Sequence, residues 1–167
     1  MDTMIFSIVQ PEMQQPCLPV TQFDEQLAQD IATLQEAMQT HQESALAAIQ
    51  LGIPKQIVAI DITDEQAHRQ QFVLINPVIV GYSEKTAIFR EQCPSLPGET
   101  IETPRAVAVN VEYQDPQGRH QQLDAGGYLA VFLQHTLDHL HGRSPASYLS
   151  PLKKQRVLTR LKKQIKK

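Results

Sequence analysis

The segment that decides the fold reads Tyr-Leu-Ala-Val-Phe-Leu-Gln-His-Thr-Leu-Asp-His-Leu-His and spans residues 128–141. It follows the break Gly126-Gly127 and precedes Gly142, which stands where a glycine that ends a helix is expected. Its apolar residues predict a strongly buried helix over the whole segment. His135 and His139 are four residues apart, so this helix would place both imidazoles on one face, where they can bind one metal ion.

A metal site of this kind needs a third ligand, and Cys93 is the natural candidate. It lies in Glu91-Gln92-Cys93-Pro94-Ser95, between predicted strands. Two imidazoles and a thiolate leave one position open for water, as catalytic sites require. The alternative is structural, because helices often carry histidine pairs at this spacing without metal, and free cysteines are commonly small buried side chains.

The flanking sequence predicts an α+β fold, with mostly antiparallel strands around three helices. An apolar stripe at spacings of three and four predicts an amphipathic helix over 23–41, and it consists of Phe23, Leu27, Ile31, Leu34 and Met38. Pro151 opens the last helix, whose apolar face carries Leu158, Leu161 and Ile165. The predicted strands are 57–62, 72–75 (ended by Asn76-Pro77), 78–80, 87–89, 107–113 and, after the turn 114–118, 119–124.

Length and composition limit the class of protein. The chain has 167 residues, which suits a single domain over 1–167, and its 41% hydrophobic content supports a folded core. No apolar run nears the ~20 residues that cross a bilayer, and residues 1–10 lack the basic start of a signal peptide. Two cysteines, Cys17 and Cys93, cannot form a disulfide framework. We therefore expect a reduced, cytoplasmic globular protein that does not bind membranes.

The charge of the chain is small overall but uneven. A net charge of −3 argues against DNA binding by the whole protein. No acidic side chain follows Asp138, whereas residues 153–167 hold eight of the fifteen Lys and Arg residues. The segment 152–167 therefore predicts a basic C-terminal helix. Its charges suit a phosphate backbone, and the alternative is a solvated helix face that keeps the protein soluble.

Three ordered blocks resemble the motifs of the peptide deformylase family, which are G-x-G-L-A-A-x-Q, E-G-C-L-S and H-E-x-D-H. Here they read Glu43-Ser44-Ala45-Leu46-Ala47-Ala48-Ile49-Gln50, Glu91-Gln92-Cys93-Pro94-Ser95 and His135-Thr136-Leu137-Asp138-His139. Residues 73–77 and 148–152 match as well, so the resemblance covers nearly the whole chain. It implies a peptide-deformylase-like α+β fold, with mostly antiparallel sheets around a central metal-binding helix and a further helix at the C-terminus.

The resemblance also implies an activity and a cofactor. Members of the family hydrolyse the N-formyl group from the N-terminal methionine of new polypeptides. One divalent metal ion would be held by Cys93, His135 and His139; it is usually Fe²⁺ in the cell, with Zn²⁺ or Ni²⁺ in purified forms. Gln50 would donate a hydrogen bond to the oxyanion, together with the backbone N–H that follows the cysteine.

Two departures from the family pattern weaken the expected reaction. Thr136 stands in place of the glutamate that moves the proton, and a threonine hydroxyl is far too weak a base. Pro94 follows the cysteine, and proline has no backbone N–H to stabilise the oxyanion. Glu43, in the loop that carries Gln50, is a candidate substitute base. Asp138 lies on the opposite flank of the helix from Thr136 and is expected to be structural.

The same resemblance places a pocket for the methionine side chain beside the metal. Phe89, Tyr128 and Phe132 are bulky candidates for filling it, although plain core packing explains Phe132 equally well. The residues expected around the substrate are Ala45, Leu46, Phe89, Glu91, Pro94, Tyr128, Val131 and Phe132.

Two functions remain open from the sequence. The first is a weak or altered metallohydrolase of the deformylase type. The second is a catalytically inactive paralogue that keeps its metal and binds formyl-methionyl peptides or ribosomes without hydrolysis. Bacterial members of the family contact the ribosome through a C-terminal helix, so the basic segment 152–167 predicts the same contact. We expect the protein to be a monomer.

Overall fold

The computed structural model describes residues 3–166 and has the predicted α+β architecture. Its helices are α1 (Glu25–His41), α2 (Gly127–Leu140) and α3 (Pro151–Ile165), and short 3₁₀ turns occupy Pro11–Gln14, Ala48–Leu51 and Pro145–Tyr148. The strands are β1 (Ala45–Ala47), β2 (Ile57–Thr63), β3 (Arg69–Tyr82), β4 (Thr86–Gln92), β5 (Thr100–Ala106), β6 (Ala108–Gln114) and β7 (His120–Gly126). Among the described residues, no helix is long and apolar enough to cross a membrane.

The strands form two antiparallel sheets. The larger has the order β1-β2-β3-β6-β7, and the smaller consists of β4 and β5. β1 is therefore an edge strand of the large sheet, and β4 pairs on one side only, with β5. Helix α2 packs against β1, β5 and β7, so it lies where the two sheets meet.

β3 corrects one expectation from the sequence. Asn76-Pro77 was expected to end a strand, but β3 continues through both residues to Tyr82. The register shifts between Ile75 and Val78, because Asn76 adopts a left-handed backbone with φ of 51°. Pro77, which has no N–H, is tolerated at such an irregularity. The two short strands predicted here are thus one strand, which pairs with β2 before the irregularity and with β6 after it.

The smaller sheet was only half predicted. The short strand expected at 87–89 is part of β4, and its partner β5 was not expected from the sequence. β5 buries Ile101, Thr103 and Arg105, and its exposed residues alternate with them. Two of the three buried side chains are polar, so the apolar alternation that reveals a half-buried strand is absent.

Helices α1 and α2 each bury one apolar face against the sheets. α1 begins two residues later than its stripe suggested, because the Asp24 carboxylate accepts a hydrogen bond from the Leu27 N–H and caps the helix. Leu133, Leu137 and Leu140 of α2 are buried, and each contributes roughly 1.5–3 kcal/mol by leaving water.

Beyond α2, the chain turns sharply at Gly142. Its φ is +75°, as expected for a glycine after a helix end. A Cβ at this position would lie 2.6 Å from the Gln14 carbonyl oxygen, so the glycine also permits close packing of the N-terminal turn.

The N-terminal segment joins two loops that the sequence marks as functional. The Phe6 N–H donates to the Gln50 carbonyl at 2.7 Å, and the Ile8 N–H donates to the Ser95 carbonyl at 3.0 Å. These two hydrogen bonds connect residues far apart in sequence, so the segment fastens the loop after β1 to the loop after β4.

Helix α3 is anchored to the loop after β4. Val157 and Leu161 are buried, whereas Ile165, which was expected on the apolar face, is exposed. The Arg160 guanidinium donates to both carboxylate oxygens of Glu99, at 2.6 and 3.0 Å. One face of the helix is thereby fixed to the protein, and the rest of its basic surface remains exposed.

Candidate metal centre

Cys93, His135 and His139 come together at the centre of the fold. One potential ligand atom from each lies within 4.8 Å of the other two, and all three residues are buried. The Cys93 Sγ is 3.3 Å from the His139 Nε2. Helix α2 aligns the two histidines because they are one turn apart, and β4 delivers the cysteine from the smaller sheet.

Hydrogen bonds orient one of the two imidazoles. The His135 Nδ1 lies 3.0 Å from the Glu91 Oε1, and a carboxylate in this position receives an N–H from the ring. The Nε2 of His135 is then the nitrogen free to bind a metal. His139 differs, because its buried Nδ1 has no hydrogen-bond partner among the described residues.

A buried arginine connects the elements that carry the three ligands. Arg105 is 3% exposed and donates to both carboxylate oxygens of Glu91, at 2.7 and 2.9 Å. It also donates to the Asp138 carboxylate at 2.7 Å, which in turn accepts the Tyr148 hydroxyl at 2.7 Å. Arg105 therefore ties β4, which leads to Cys93, to the helix that holds both histidines.

The sequence indicated no role for Arg105, and although Tyr148 opens the block 148–152 that resembles the family, no role was predicted for it. Arg105 contacts Glu91 and Asp138 only through the fold, and no local spacing marks it. The sequence offered one indication: Arg105 stands at every second position with Ile101 and Thr103, so a strand would place all three side chains on one face. This segment was not predicted as a strand. Asp138 was expected to be structural, and its contacts agree with that role.

The electrostatics of the cluster favour the thiolate form of Cys93, the form that binds metal, whereas they also favour the protonated form of His135, which has to lose its proton on binding. Burial alone would raise the pKa of the Cys93 thiol, but His139 and His135 lower it to about 5. Burial lowers the pKa of His135, but Cys93 and Glu91 raise it overall to about 9. A thiolate and two imidazoles form a donor set that suits a divalent transition metal, so the residues present fit such an ion.

Gln50 lies beside this cluster. Its Nε2 donates to the Ser95 Oγ at 3.0 Å and lies 3.7 Å from the Cys93 Sγ. Its Oε1 accepts the Ala47 N–H at 3.0 Å. The side chain is therefore fixed in orientation, with its amide nitrogen directed toward the potential metal ligands.

Thr136 and Pro94 occupy the two positions where the sequence departs from the family. Thr136 is 2% exposed, and its hydroxyl donates to the Phe132 carbonyl at 2.7 Å. Its single proton is thus used within its own helix. Pro94 directly follows Cys93, is half-buried and has no N–H to offer.

Glu43 lies within electrostatic range of the cluster but outside it. The carboxylate is half-buried, and burial followed by the charge of Cys93 raises its pKa, while His41 and His135 act in the opposite direction. Glu43 is not one of the residues whose ligand atoms approach within 4.8 Å.

A groove of about 1,160 Å³ opens beside α2 and contains part of the predicted substrate pocket. Phe89, Tyr128 and Phe132 line it, and Tyr128 is 71% exposed at its surface. The other five expected pocket residues are not among its lining, namely Ala45, Leu46, Glu91, Pro94 and Val131. Leu46 packs in the core beneath α1, and Glu91 binds Arg105 and His135. The substrate roles of these residues stay predictions.

Comparison with known proteins gives a consistent result. The sequence model of the family described as Polypeptide deformylase matches residues 3–155. A peptide deformylase of Rhizobium meliloti (strain 1021) is 37% identical over 156 residues, which cover 93% of this chain and 90% of that protein. A crystal structure of peptide deformylase from Ehrlichia chaffeensis aligns with a TM-score of 0.91 at 27% identity. The alignment covers 98% of this chain and 97% of the Ehrlichia chain. A second Ehrlichia chaffeensis structure, in complex with actinonin, has a TM-score of 0.91 at 28% identity and covers 98% of both chains.

Proposed function

We propose that this chain, which belongs to the polypeptide deformylase family, binds a divalent metal ion and N-formylmethionyl peptides but hydrolyses the formyl group weakly or not at all. The observation that carries the proposal is Thr136. It stands where the family pattern has the glutamate that moves the proton, and its hydroxyl proton is held by the Phe132 carbonyl. The geometry of Cys93, His135 and His139 supports metal binding.

The metal would be held by those three residues, as Fe²⁺ or Zn²⁺, with Ni²⁺ as a further candidate. Such an ion activates water and polarises a carbonyl group when it is bound. Glu91 orients His135, and Arg105 holds Glu91 in place. Gln50 would supply the remaining oxyanion donor.

The open strand edges support an extended peptide as the ligand. β1 and β4 each pair on one side only, and they carry the segments that precede Gln50 and Cys93. An extended peptide can bind such an edge through its backbone. Phe89 and Phe132 in the nearby groove would contact an apolar side chain.

The two substitutions should reduce the rate strongly. A general acid–base group typically contributes ~10²–10⁴-fold. Loss of one oxyanion donor, here the N–H that Pro94 lacks, costs roughly 10²–10³-fold. The two losses need not multiply, because groups that act together are not additive.

Glu43 is proposed as a partial substitute for the missing base. It is half-buried and shares the electrostatic environment of Cys93 and His135. Glu43→Gln should remove residual activity and leave metal content unchanged. Equal residual activity in the variant and the parent would rule out this role.

The central experiment compares the parent protein with Thr136→Glu and Thr136→Glu/Pro94→Leu. All three are purified without oxygen, their metal content is quantified, and they are assayed on a short N-formylmethionyl peptide. We expect little turnover by the parent and a stepwise gain in the variants. A family-like rate in the parent would contradict the proposal, and a silent double variant with bound metal would show that the groove itself has changed.

The second candidate function is a metal-containing binding protein without catalysis. The contacts that favour it are those of Arg105 with Glu91 and Asp138, because they preserve the metal-binding geometry although the base is missing. This function predicts that an N-formylmethionyl peptide binds the metal-loaded protein and is recovered intact. Steady formation of formate would exclude it.

Helix α3 is proposed to contact the ribosome. The protein is proposed to be a cytoplasmic monomer. Its basic residues are exposed, whereas Val157 and Leu161 are in the core, so deletion of the helix would also damage the fold. Charge removal in Lys162→Gln/Lys163→Gln is the better test, and it should weaken co-sedimentation with ribosomes. Unchanged co-sedimentation would count against this contact. Sedimentation of the free protein reports its oligomeric state.

A further inference from the structure

We infer that the groove beside α2 selects peptides with basic side chains a few residues after the formylmethionine. This inference rests on the proposed function and concerns the part of the groove away from the potential metal ligands. There the lining comes from two segments, the β2–β3 hairpin and the junction of β7 with α2.

Both segments contribute acidic side chains. Asp61, Asp64 and Glu65 come from the hairpin, and Asp124 comes from the end of β7. Among the described residues that line the groove, no side chain is a lysine, arginine or histidine. The floor is apolar and includes Phe89 and Phe132, so the groove combines an apolar base with an acidic rim.

Neighbouring groups cancel only part of this negative charge. Arg69 pairs with Asp61 at 2.7 Å, and His68 lies 3.6 Å from Asp64. Among the described residues, Glu65 has no ion pair, and Asp124 accepts a hydrogen bond from the neutral Asn110 amide. The amino end of α2 carries a partial positive charge that offsets part of the charge of Asp124 beside it. The negative electrostatic potential of the groove therefore comes mainly from Glu65 and Asp64.

The dimensions of the helix fix which peptide positions reach the acidic rim. Gly127 and His135 are eight residues apart on α2, which is about 12 Å along its axis at ~1.5 Å per residue. An extended peptide advances roughly 3.3 Å per residue. If the peptide follows the groove along α2 from His135 toward Gly127, a formylmethionine held near His135 brings the side chains about three or four residues later to the level of Gly127 and Asp124.

The charge distribution of the whole chain agrees with this selection. Residues 1–152 contain all eighteen Asp and Glu residues but only seven of the fifteen Lys and Arg residues. A peptide that approaches the groove thus meets an acidic body, and a cationic peptide is attracted from farther away.

The test measures binding of three peptides to the metal-loaded protein by calorimetry. They are formyl-Met-Ala-Ala-Lys-Lys, formyl-Met-Ala-Ala-Gln-Gln and formyl-Met-Ala-Ala-Glu-Glu. At low salt we expect the lysine peptide to bind roughly tenfold more tightly than the glutamate peptide, with the glutamine peptide between them. The difference should shrink several-fold at about 0.5 M salt, because the screening length then falls well below 8 Å.

Variants assign the effect to the groove. Glu65→Gln/Asp124→Asn should reduce the ratio between the lysine and glutamate peptides at least threefold and leave the glutamine peptide unchanged. Asp64 is left intact because it accepts the backbone N–H groups of Gln66 and His68 and stabilises the hairpin turn. The control Glu12→Gln/Glu36→Gln removes the same charge at exposed residues outside the groove and should change the ratio between the lysine and glutamate peptides far less.

Each failure has its own meaning. Equal affinity for all three peptides, or an equal effect of both double variants, would overturn this inference and leave the proposed function intact. Absence of binding by all three peptides would overturn the proposed function, and the inference would fall with it.

Discussion

Replacement of Arg105 by methionine should destabilise the protein in a pH-dependent way. The change removes a buried cation that contacts two buried carboxylates, Glu91 and Asp138. Breaking such an arrangement typically costs 3–5 kcal/mol, because an uncompensated charge stays buried. His135 still contacts Glu91, and Tyr148 still contacts Asp138, so we expect about 3 kcal/mol at pH 7.

The pH dependence follows from the direction of the pKa of Glu91. Burial opposes ionisation of Glu91, but hydrogen bonds from Arg105 and His135 hold its pKa below its ordinary value. The stabilising contribution is therefore complete above the unfolded pKa of about 4.3 and is lost as the pH falls through the lower folded pKa. Without Arg105, burial would raise the folded pKa instead. The destabilisation of the variant should then be largest near pH 7 and diminish toward pH 4.

Urea unfolding of the metal-free protein, followed by circular dichroism between pH 4 and 8, measures both effects. Arg90→Met is the matched control, because Arg90 lies on β4 and is exposed; it should change the free energy of unfolding by less than about 0.5 kcal/mol. Arg105→Lys keeps the positive charge but loses the two-pronged contact with Glu91. Its free energy of unfolding should lie between those of the parent protein and Arg105→Met. A loss below about 1 kcal/mol in Arg105→Met, or a loss that grows toward pH 4, would refute the reasoning.

Two further predictions concern the metal ligands and the chain turn after α2. His135, whose pKa is raised to about 9, must lose its proton to bind Zn²⁺, so apparent affinity should rise about tenfold per pH unit between pH 6 and 9; a chelator competition that shows constant affinity would contradict this. Gly142→Ala should cost about 2–3 kcal/mol, because its Cβ would lie 2.6 Å from the Gln14 oxygen at a φ of +75°. Gly127→Ala is the control, because its φ is also positive, at +58°, but an added Cβ would have no atom within 4 Å. It should lower the free energy of unfolding by only about 1 kcal/mol, and thermal unfolding of both variants measures the difference.

Local periodicity predicted the parts of the site that lie on one helix. His135 and His139 are one turn apart, and a helix brings such residues together wherever it packs. Cys93 was proposed as the third ligand from the need for one, and the family resemblance supported it; the structure places Gln50, which the resemblance marked, beside Cys93. Fold class and the three helices could be predicted for the same reason, because their apolar stripes are continuous.

The parts that escaped prediction depend on contacts across the fold. Arg105 gains its importance from Glu91, fourteen residues earlier, and from Asp138, thirty-three residues later. The continuation of β3 through Asn76 depends on the side chain of that residue, which bonds both backbone groups of Val20, at 2.7 and 2.9 Å. The side chain of Leu46 packs in the core with α1, a contact that the motif itself does not indicate, and its role near the substrate stays a prediction.

The hydrogen bonds of the N-terminal segment have a consequence for biosynthesis. Phe6 and Ile8 are made early, yet their partners at Gln50 and Ser95 emerge from the ribosome only later. The histidines of α2 follow later still, so the complete ligand set does not exist until most of the chain has been translated. Metal must therefore bind late in synthesis or after it. The N-terminal segment with Phe6 and Ile8 cannot form its hydrogen bonds until the loops that contain Gln50 and Ser95 have been made.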